Sequence, residues 1–346
     1  MLVNVFYNLS LILSIFIVLS AQSWIFVWSS IELVTILLII LISQEITPRS
    51  VEGVSKYFIA QAVASSFLIL GIILRYYFSG EMDVFSGYNG LPFYLILVGL
   101  FVKIAVFPNP FWFVDSISGL KLIYSFYIII LSKVVPLYLY INLCEGINSF
   151  LILVGVGSVI FGSVLGLNQT NVRKIIALSS ISHLGWLVLG LPYFSFKMSL
   201  LIFGGYILML LPLLWVLSLY NISDFNDLKR GRLSPISLSI IIISLLSLGG
   251  FPPLLGFFYK WFIFSVLLKS SFYLVCGGLI FGGLISLFFY LRLCYNLYCL
   301  YWPESKVIIL GSFIKTQESM LVMALIIVGA VVSVLFLVMG PLTSLV

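Results

Sequence analysis

Apolar residues run through this chain in stretches of about membrane thickness, with the polar residues gathered between them. Read between charged residues and Pro, Gly or Asn breaks, the 346 residues divide into eleven apolar segments. These are 2–20, 24–43, 55–78, 91–112, 120–143, 148–166, 171–191, 196–219, 235–269, 271–300 and 318–340. A helix needs ~20 apolar residues to cross a hydrocarbon core of ~30 Å. The pattern therefore predicts about eleven transmembrane helices. Strands of a membrane barrel would instead alternate apolar and polar residues over ~10 positions, and these runs are apolar all round. The longest loops, 221–234 and 301–317, are too short to fold alone. The expected fold class is an all-α polytopic membrane protein, one membrane domain over 1–346.

Two stretches interrupt the helical pattern. Residues 235–269 would extend about 50 Å as one straight helix, and Gly249-Gly250-Phe251-Pro252-Pro253 in the middle cannot continue one. The other break is Pro108-Asn109-Pro110, after the run that begins at Leu91. Irregular backbone at membrane depth is tolerated only where protein buries it or where it lines a wet cavity. The breaks fall in the fourth and ninth segments, five apart, and a five-helix unit repeated in tandem must invert because five is odd. Paired broken helices in two halves mark a transport pathway in inverted-repeat transporters. The expectation is two inverted five-helix repeats, 1–143 and 148–300, followed by a C-terminal helix in 318–346.

Composition narrows the function classes. The chain is 62% apolar and 8% charged, with a mean hydropathy of +1.26. A soluble domain is about 25% charged, so a soluble enzyme, a nucleic-acid binder and a disordered chain are excluded. The net charge of +6 comes mainly from loops. If the segments alternate across the membrane, Arg49, Lys56, Lys121, Arg173, Lys174, Lys229, Arg230, Arg232, Lys306 and Lys315 share the side of the N-terminus, against Lys197 and Lys269 opposite. Ten against two is a strong positive-inside bias. It puts the N-terminus in the cytoplasm or matrix and the C-terminus on the other side. Residues 2–20 are already a spanning candidate, so no cleavable leader is expected. Cys144, Cys276, Cys294 and Cys299 form no C-x-x-C pair, and there is one His, so neither a zinc site nor an iron–sulfur cluster is expected.

The ionisable residues inside the segments carry the chemistry. Arg75 and Arg292 lie near segment ends, where a long side chain can snorkel or anchor. Glu32, Lys103, Lys133, His183 and Lys260 lie deep. A charge at the bilayer centre costs ~2.5–3.5 kcal/mol even on the lenient insertion scale. Glu32 can pair with one lysine, which leaves two without a carboxylate. The set points to a proton or ion pathway in which water links groups too far apart to touch. Moving one elementary charge against 100 mV takes ~2.3 kcal/mol, the same order as breaking a buried ion pair. His183 has Ser179, Ser180 and Ser182 beside it as hydrogen-bond candidates. Gly162-x-x-x-Gly166 and Gly278-x-x-x-Gly282 fit close helix packing. The cluster Lys229-Arg230-Gly231-Arg232 fits a topogenic loop that meets anionic lipid headgroups. Gly155-x-Gly157 lacks the strand–helix context of a dinucleotide site, and neither a nucleophile triad nor a Walker loop is present.

Longer motifs resemble a known family. The stretch from Gly166 to Trp186, GLNQTNVRKIIALSSISHLGW, resembles the signature of the antiporter-like membrane subunits of respiratory complex I, the NADH:ubiquinone oxidoreductase. Ser247 to Trp261, SLGGFPPLLGFFYKW, resembles their second broken helix. Residues 24–32 and 51–65 resemble one branch of that family, and the eleven-segment length resembles its shortened animal mitochondrial form. The resemblance implies that Glu32 is the carboxylate at a channel entrance and Lys103 its partner. It implies that Lys133 is a central proton relay, Lys260 a terminal lysine towards the intermembrane space, and His183 a member of the axis between them. It also implies a mitochondrial inner membrane location, neighbouring membrane-arm subunits and lipid as partners, no nucleic acid, and no cofactor on this chain. Flavin, iron–sulfur clusters and quinone would belong to other subunits. The chain departs from the family at Pro108-Asn109-Pro110-Phe111-Trp112, where a histidine is usual, so a histidine role for that loop is not implied. A sodium/proton antiporter subunit of the Mrp type and a spacer without its own proton path are the alternatives.

Overall fold

The computed structural model describes residues 2–44, 47–84, 90–144, 148–220, 222, 224, 234–252 and 254–301. The described residues are helical nearly throughout. In chain order the helices are α1 Leu2–Ser20, α2 Trp24–Ile42, α3 Pro48–Ser79, α4 Leu91–Ile104, α5 Phe111–Gly119, α6 Leu122–Phe126 and α7 Ser132–Leu143. They continue with α8 Ser149–Gly166, α9 Val172–Gly190, α10 Phe196–Leu219, α11 Pro235–Gly249, α12 Leu255–Lys269 and α13 Tyr273–Tyr301. A π-helical turn, Tyr127–Leu131, joins α6 to α7.

Among the described residues, seven helices are long and apolar enough to cross a membrane: Trp24–Ile42, Pro48–Ser79, Leu122–Leu143, Ser149–Gly166, Val172–Tyr193, Phe196–Leu219 and Tyr273–Tyr298. Val5–Ser20, Leu91–Ile104 and Ser237–Gly249 are shorter apolar helices. The sequence led us to expect eleven spans, and the breaks account for part of the difference. The run beginning at Leu91 ends as a helix at Ile104, not at residue 112. The run 235–269 is two helices of 15 residues each. The expected span 318–340 and the basic cluster 229–232 lie outside the described residues.

The fold is inside-out relative to a soluble protein. Phe6, Leu13 and Phe16 on α1 and Leu284 and Phe288 on α13 are exposed, while Lys103, Lys133 and His183 are each only 1% exposed. Contiguous apolar surface of this kind suits lipid or partner helices. The chain is thus an all-α polytopic membrane protein.

The described chain divides into two compact units. In the first, Met1–Ser158 with Leu191–Phe196, Val27, Ile31, Leu68, Ile96, Leu100 and Val135 share one apolar core. Helix α3 begins in a capping box: Ser50 N–H donates to the Thr47 hydroxyl, and Thr47 N–H donates to Ser50 Oγ. It ends on Gly80 at φ 71°, the left-handed position glycine adopts without penalty. One stripe of α3 carries the broken pair α4–α5. A Cβ on Gly71 would meet the Ile96 side chain and the Pro92 carbonyl, and one on Gly99 would lie 2.9 Å from the Ala64 carbonyl oxygen. Further back along α3, a Cβ on Gly53 would lie 3.0 Å from the Ser116 carbonyl oxygen. Both α4 and α5 therefore run antiparallel to α3 at close range.

Among the described residues, the second unit comprises 159–190 with 197–301. Helix α9 is buried on every face from Ile175 to Gly190. Gly162, singled out in the sequence as a packing residue, lets α8 approach α9: a Cβ there would lie 2.6 Å from the Leu178 carbonyl oxygen. Helices α11 and α12 meet at Gly256, where a Cβ would overlap the carbonyl of Ser247.

Candidate functional site

In the first unit, the end of α4 holds the first charged pair. The helix stops because Ala105 takes the left-handed conformation at φ 67° and two prolines follow, Pro108 and Pro110. A left-handed alanine costs ~1–2 kcal/mol relative to the right-handed form, so strain is stored two residues from a buried charge. Lys103 lies in that last turn. Its Nζ donates to Glu32 Oε1 of α2 at 3.4 Å, with side-chain exposures of 1% and 29%. A cation in the last turn also faces the negative end of the helix dipole.

Lys133 lies in the first turn of α7, just after the π-helical turn and before Pro136. It is 1% exposed, and its Nζ lies 3.9 Å from the centre of the Phe113 ring, a cation–π contact. Lys103 and Lys133 are therefore both enclosed within the first unit.

In the second unit, Lys260 on α12 reaches back across the break. Its Nζ donates to the carbonyls of Leu248 and Gly249, each at 3.1 Å. These are among the terminal carbonyls of α11, which have no partner within the helix. The ammonium thus caps the negative end of α11 without a carboxylate. His183 on α9 sits among tyrosines: Nδ1 hydrogen-bonds the Tyr259 hydroxyl, and Nε2 lies 3.3 Å from the Tyr290 hydroxyl. Tyr206 packs against the same ring, 5.8 Å between centroids. The neighbouring serines serve the helix itself. Ser179, Ser180 and Ser182 donate to the carbonyls of Ile176, Ala177 and Ser179.

The structure thus pairs Glu32 with Lys103, puts Lys133 on an aromatic face, and sets Lys260 on backbone carbonyls. It also reveals the tyrosine cage, which sequence reasoning missed because Tyr259 and Tyr290 come from helices distant in sequence. The arginines are anchors. Arg75 is buried, donates from Nη2 to the Asp83 carbonyl at 2.8 Å and lies over the Trp24 ring, so it does not snorkel outward. Arg292 donates to the Gln169 carbonyl at 3.1 Å. Among the described residues, no three His, Cys, Asp or Glu side chains group as a metal site. A Tyr259→Phe change removes the hydroxyl at Nδ1 with little change in shape. We expect it to cost about 1–3 kcal/mol, read as a lower unfolding temperature in detergent. An unchanged temperature would mean that the hydrogen bond carries no net stability.

Interrupted helices with enclosed, hydrogen-bonded charges define a class, polytopic membrane proteins that carry polar groups inside their helix bundles. Residues 21–286 match the family described as "NADH:quinone oxidoreductase/Mrp antiporter, TM", and the chain belongs to that family of antiporter-like membrane subunits. Among its relatives is NADH-ubiquinone oxidoreductase chain 2 of Squalus acanthias, 37% identical over 297 residues, 85% of this chain and 84% of that one. The protein of the same name from Scyliorhinus canicula is 38% identical over 274 residues, 79% of this chain and 78% of that one. Among solved structures, a chain of respiratory complex I from Thermus thermophilus superposes with a TM-score of 0.80 at 21% identity, covering 96% of this chain and 78% of its own. A chain of the Mrp complex of a Dietzia species gives 0.72 at 17% identity, covering 84% of this chain and 59% of its own. These two likenesses establish the shared fold.

Proposed function

We propose that this chain is a proton-translocating membrane-arm subunit of the NADH:ubiquinone oxidoreductase, complex I, of the mitochondrial inner membrane. Glu32 takes up a proton and Lys103 holds the charge beside it. Lys133 passes the proton on, His183 belongs to the polar axis that follows, and Lys260 is the terminal station. Quinone reduction elsewhere in the complex drives the transfer, and flavin, iron–sulfur clusters and quinone belong to other subunits. The fold is read as eleven spans in two inverted five-helix repeats, 1–143 and 148–300, with a C-terminal helix in 318–346. The N-terminus faces the matrix and the C-terminus the intermembrane space. Partners are the neighbouring membrane-arm subunits and lipid.

The observation that carries this reading is the Glu32–Lys103 pair, an ammonium 1% exposed held by a carboxylate at the end of a broken helix. Such a pair can be made and broken by one proton. The relatives that bear the name NADH-ubiquinone oxidoreductase chain 2 support complex I over an Mrp-type antiporter. The positive-inside bias supports the orientation.

Lys133→Met tests the reading, because methionine keeps the length of the side chain and removes the charge. We expect the complex to assemble and its coupled turnover to fall about a hundredfold or more, within the range of ~10²–10⁴ for loss of a positioned acid–base group. Unchanged proton translocation per electron would leave the chain a spacer. NADH-driven quinone reduction by a purified complex that contains this chain separates complex I from the Mrp alternative.

A further inference from the structure

The stripe of α3 that carries the broken pair α4–α5 also carries polar side chains that the proton route above does not use. Tyr57 and Gln61 are one helical turn apart on the same face, and they are 0% and 4% exposed. Tyr57 packs against Trp112 of α5 with the rings tilted, their centroids 5.8 Å apart. Three polar atoms along this stretch of the stripe, Tyr57 Oη, Gln61 Nε2 and Trp112 Nε1, are buried and have no hydrogen-bond partner among the described residues. A buried polar group left without a partner costs ~1–3 kcal/mol. Three such groups within one helical turn of the break are explained most economically by ligands that can both donate and accept. Water does this, typically with about three hydrogen bonds to buried polar groups.

The register fixes where these side chains lie relative to the break. Along α3, Gly71 faces Pro92 and Ile96, and the Ala64–Leu68 turn faces Gly99. One turn on from Gly99 is Lys103, and one turn back from Ala64 is Gln61. Lys103 and Gln61 therefore share a level. Beyond them, Tyr57 faces Trp112 and Gly53 faces Ser116, so the irregular residues 105–110 cross α3 between Gln61 and Tyr57. Lys103, on that level, is the residue that Glu32 Oε1 holds at 3.4 Å. On the outer side of the stripe, Lys56 bridges Glu52 at 2.7 Å and Asp115 at 2.8 Å. That exposed bridge ties α5 to α3 beside the cleft.

We infer that Tyr57, Gln61 and Trp112 bind water in a cleft between α3 and the helix break, and that this water loads protons onto the Glu32–Lys103 pair. In each transfer, a water molecule gives one proton to the Glu32 carboxylate and regains one from the next water outward. No net bond is made or lost in the cleft. Gln61, Tyr57 and Trp112 are positioning residues, since they orient the water and do not themselves change protonation. The inference rests on the proton-translocating role proposed above and adds its inlet.

The test uses the assembled complex. A high-resolution structure should resolve ordered water within hydrogen-bond distance of Gln61 Nε2 and Tyr57 Oη. Gln61→Leu, similar in volume but unable to hydrogen-bond, should slow coupled turnover about tenfold, the factor equivalent to one hydrogen bond of ordinary net worth. Tyr57→Phe should act in the same direction and guards against misfolding of the first variant. Gln61→Asn keeps an amide and makes room for a further water, and should stay near the parent rate. Lys133→Met is assayed alongside. If it blocks coupled turnover while Gln61→Leu and Tyr57→Phe do not, the inlet is overturned and the proton-translocating role stands. If Lys133→Met has no effect, both are overturned. A dry cleft with the three polar atoms bonded to protein would also overturn the inlet.

Discussion

Replacing Glu32 by alanine is expected to destabilise the protein by about 3 kcal/mol and to stop coupled turnover. Lys103 is 1% exposed, and Glu32 Oε1 holds its Nζ at 3.4 Å. Removing one partner of a buried pair costs ~3–5 kcal/mol, because the other charge is left in a low-dielectric site. The low end applies because the Glu32 side chain is 29% exposed, so the pair is only partly enclosed. The double variant Glu32→Ala/Lys103→Met removes the stranded charge. Its stability should recover most of the loss, since apolar replacement of a whole buried pair is often neutral. Its proton translocation should not recover. Unfolding in detergent and proton translocation in vesicles read the two quantities separately. If the double variant is as unstable as the single one, the two residues are not energetically coupled. If it pumps normally, the pair is structural.

Gly256→Val should have a comparable effect on stability through a different cause. A Cβ on Gly256 would overlap the carbonyl of Ser247 and lie 2.7 Å from its carbonyl carbon. These are backbone atoms near the end of α11, so no side chain can turn aside. Overpacking ordinarily costs ~1–3 kcal/mol, and a clash against backbone belongs at the upper limit or above. The two half-helices must separate, and Lys260 then loses the carbonyls of Leu248 and Gly249. Loss of assembled complex on native gels would register the damage. Gly277→Ala is the matched control, because nothing lies within 4 Å of a Cβ there, and it should assemble normally.

Much of the helical framework was legible in the sequence, because each membrane helix is a long apolar run with polar ends. The run 196–219 coincides with helix Phe196–Leu219, and the run 24–43 differs from Trp24–Ile42 by one residue. The early end of α4 was not legible, because residues 105–107 are as apolar as the helix before them and only the backbone turn at Ala105 marks the stop. The deep charges could be found one by one, since any ionisable residue stands out in an apolar run. Their partners could not. Pairing of Glu32 with Lys103 spans 71 positions and that of His183 with Tyr290 spans 107, distances over which no periodicity carries information. Gln61 was visible as a lone amide in an apolar run. Counting uncharged polar residues inside the spans, as well as charged ones, would have singled it out.

The two lysines beside helix breaks are neutralised by different means. Lys103 faces a side chain that can itself accept a proton, so its counter-charge can be switched off. Lys260 faces peptide oxygens, whose partial charge is permanent. One lysine therefore has an adjustable electrostatic setting, and the other has a constant one that can change only if the two half-helices move apart.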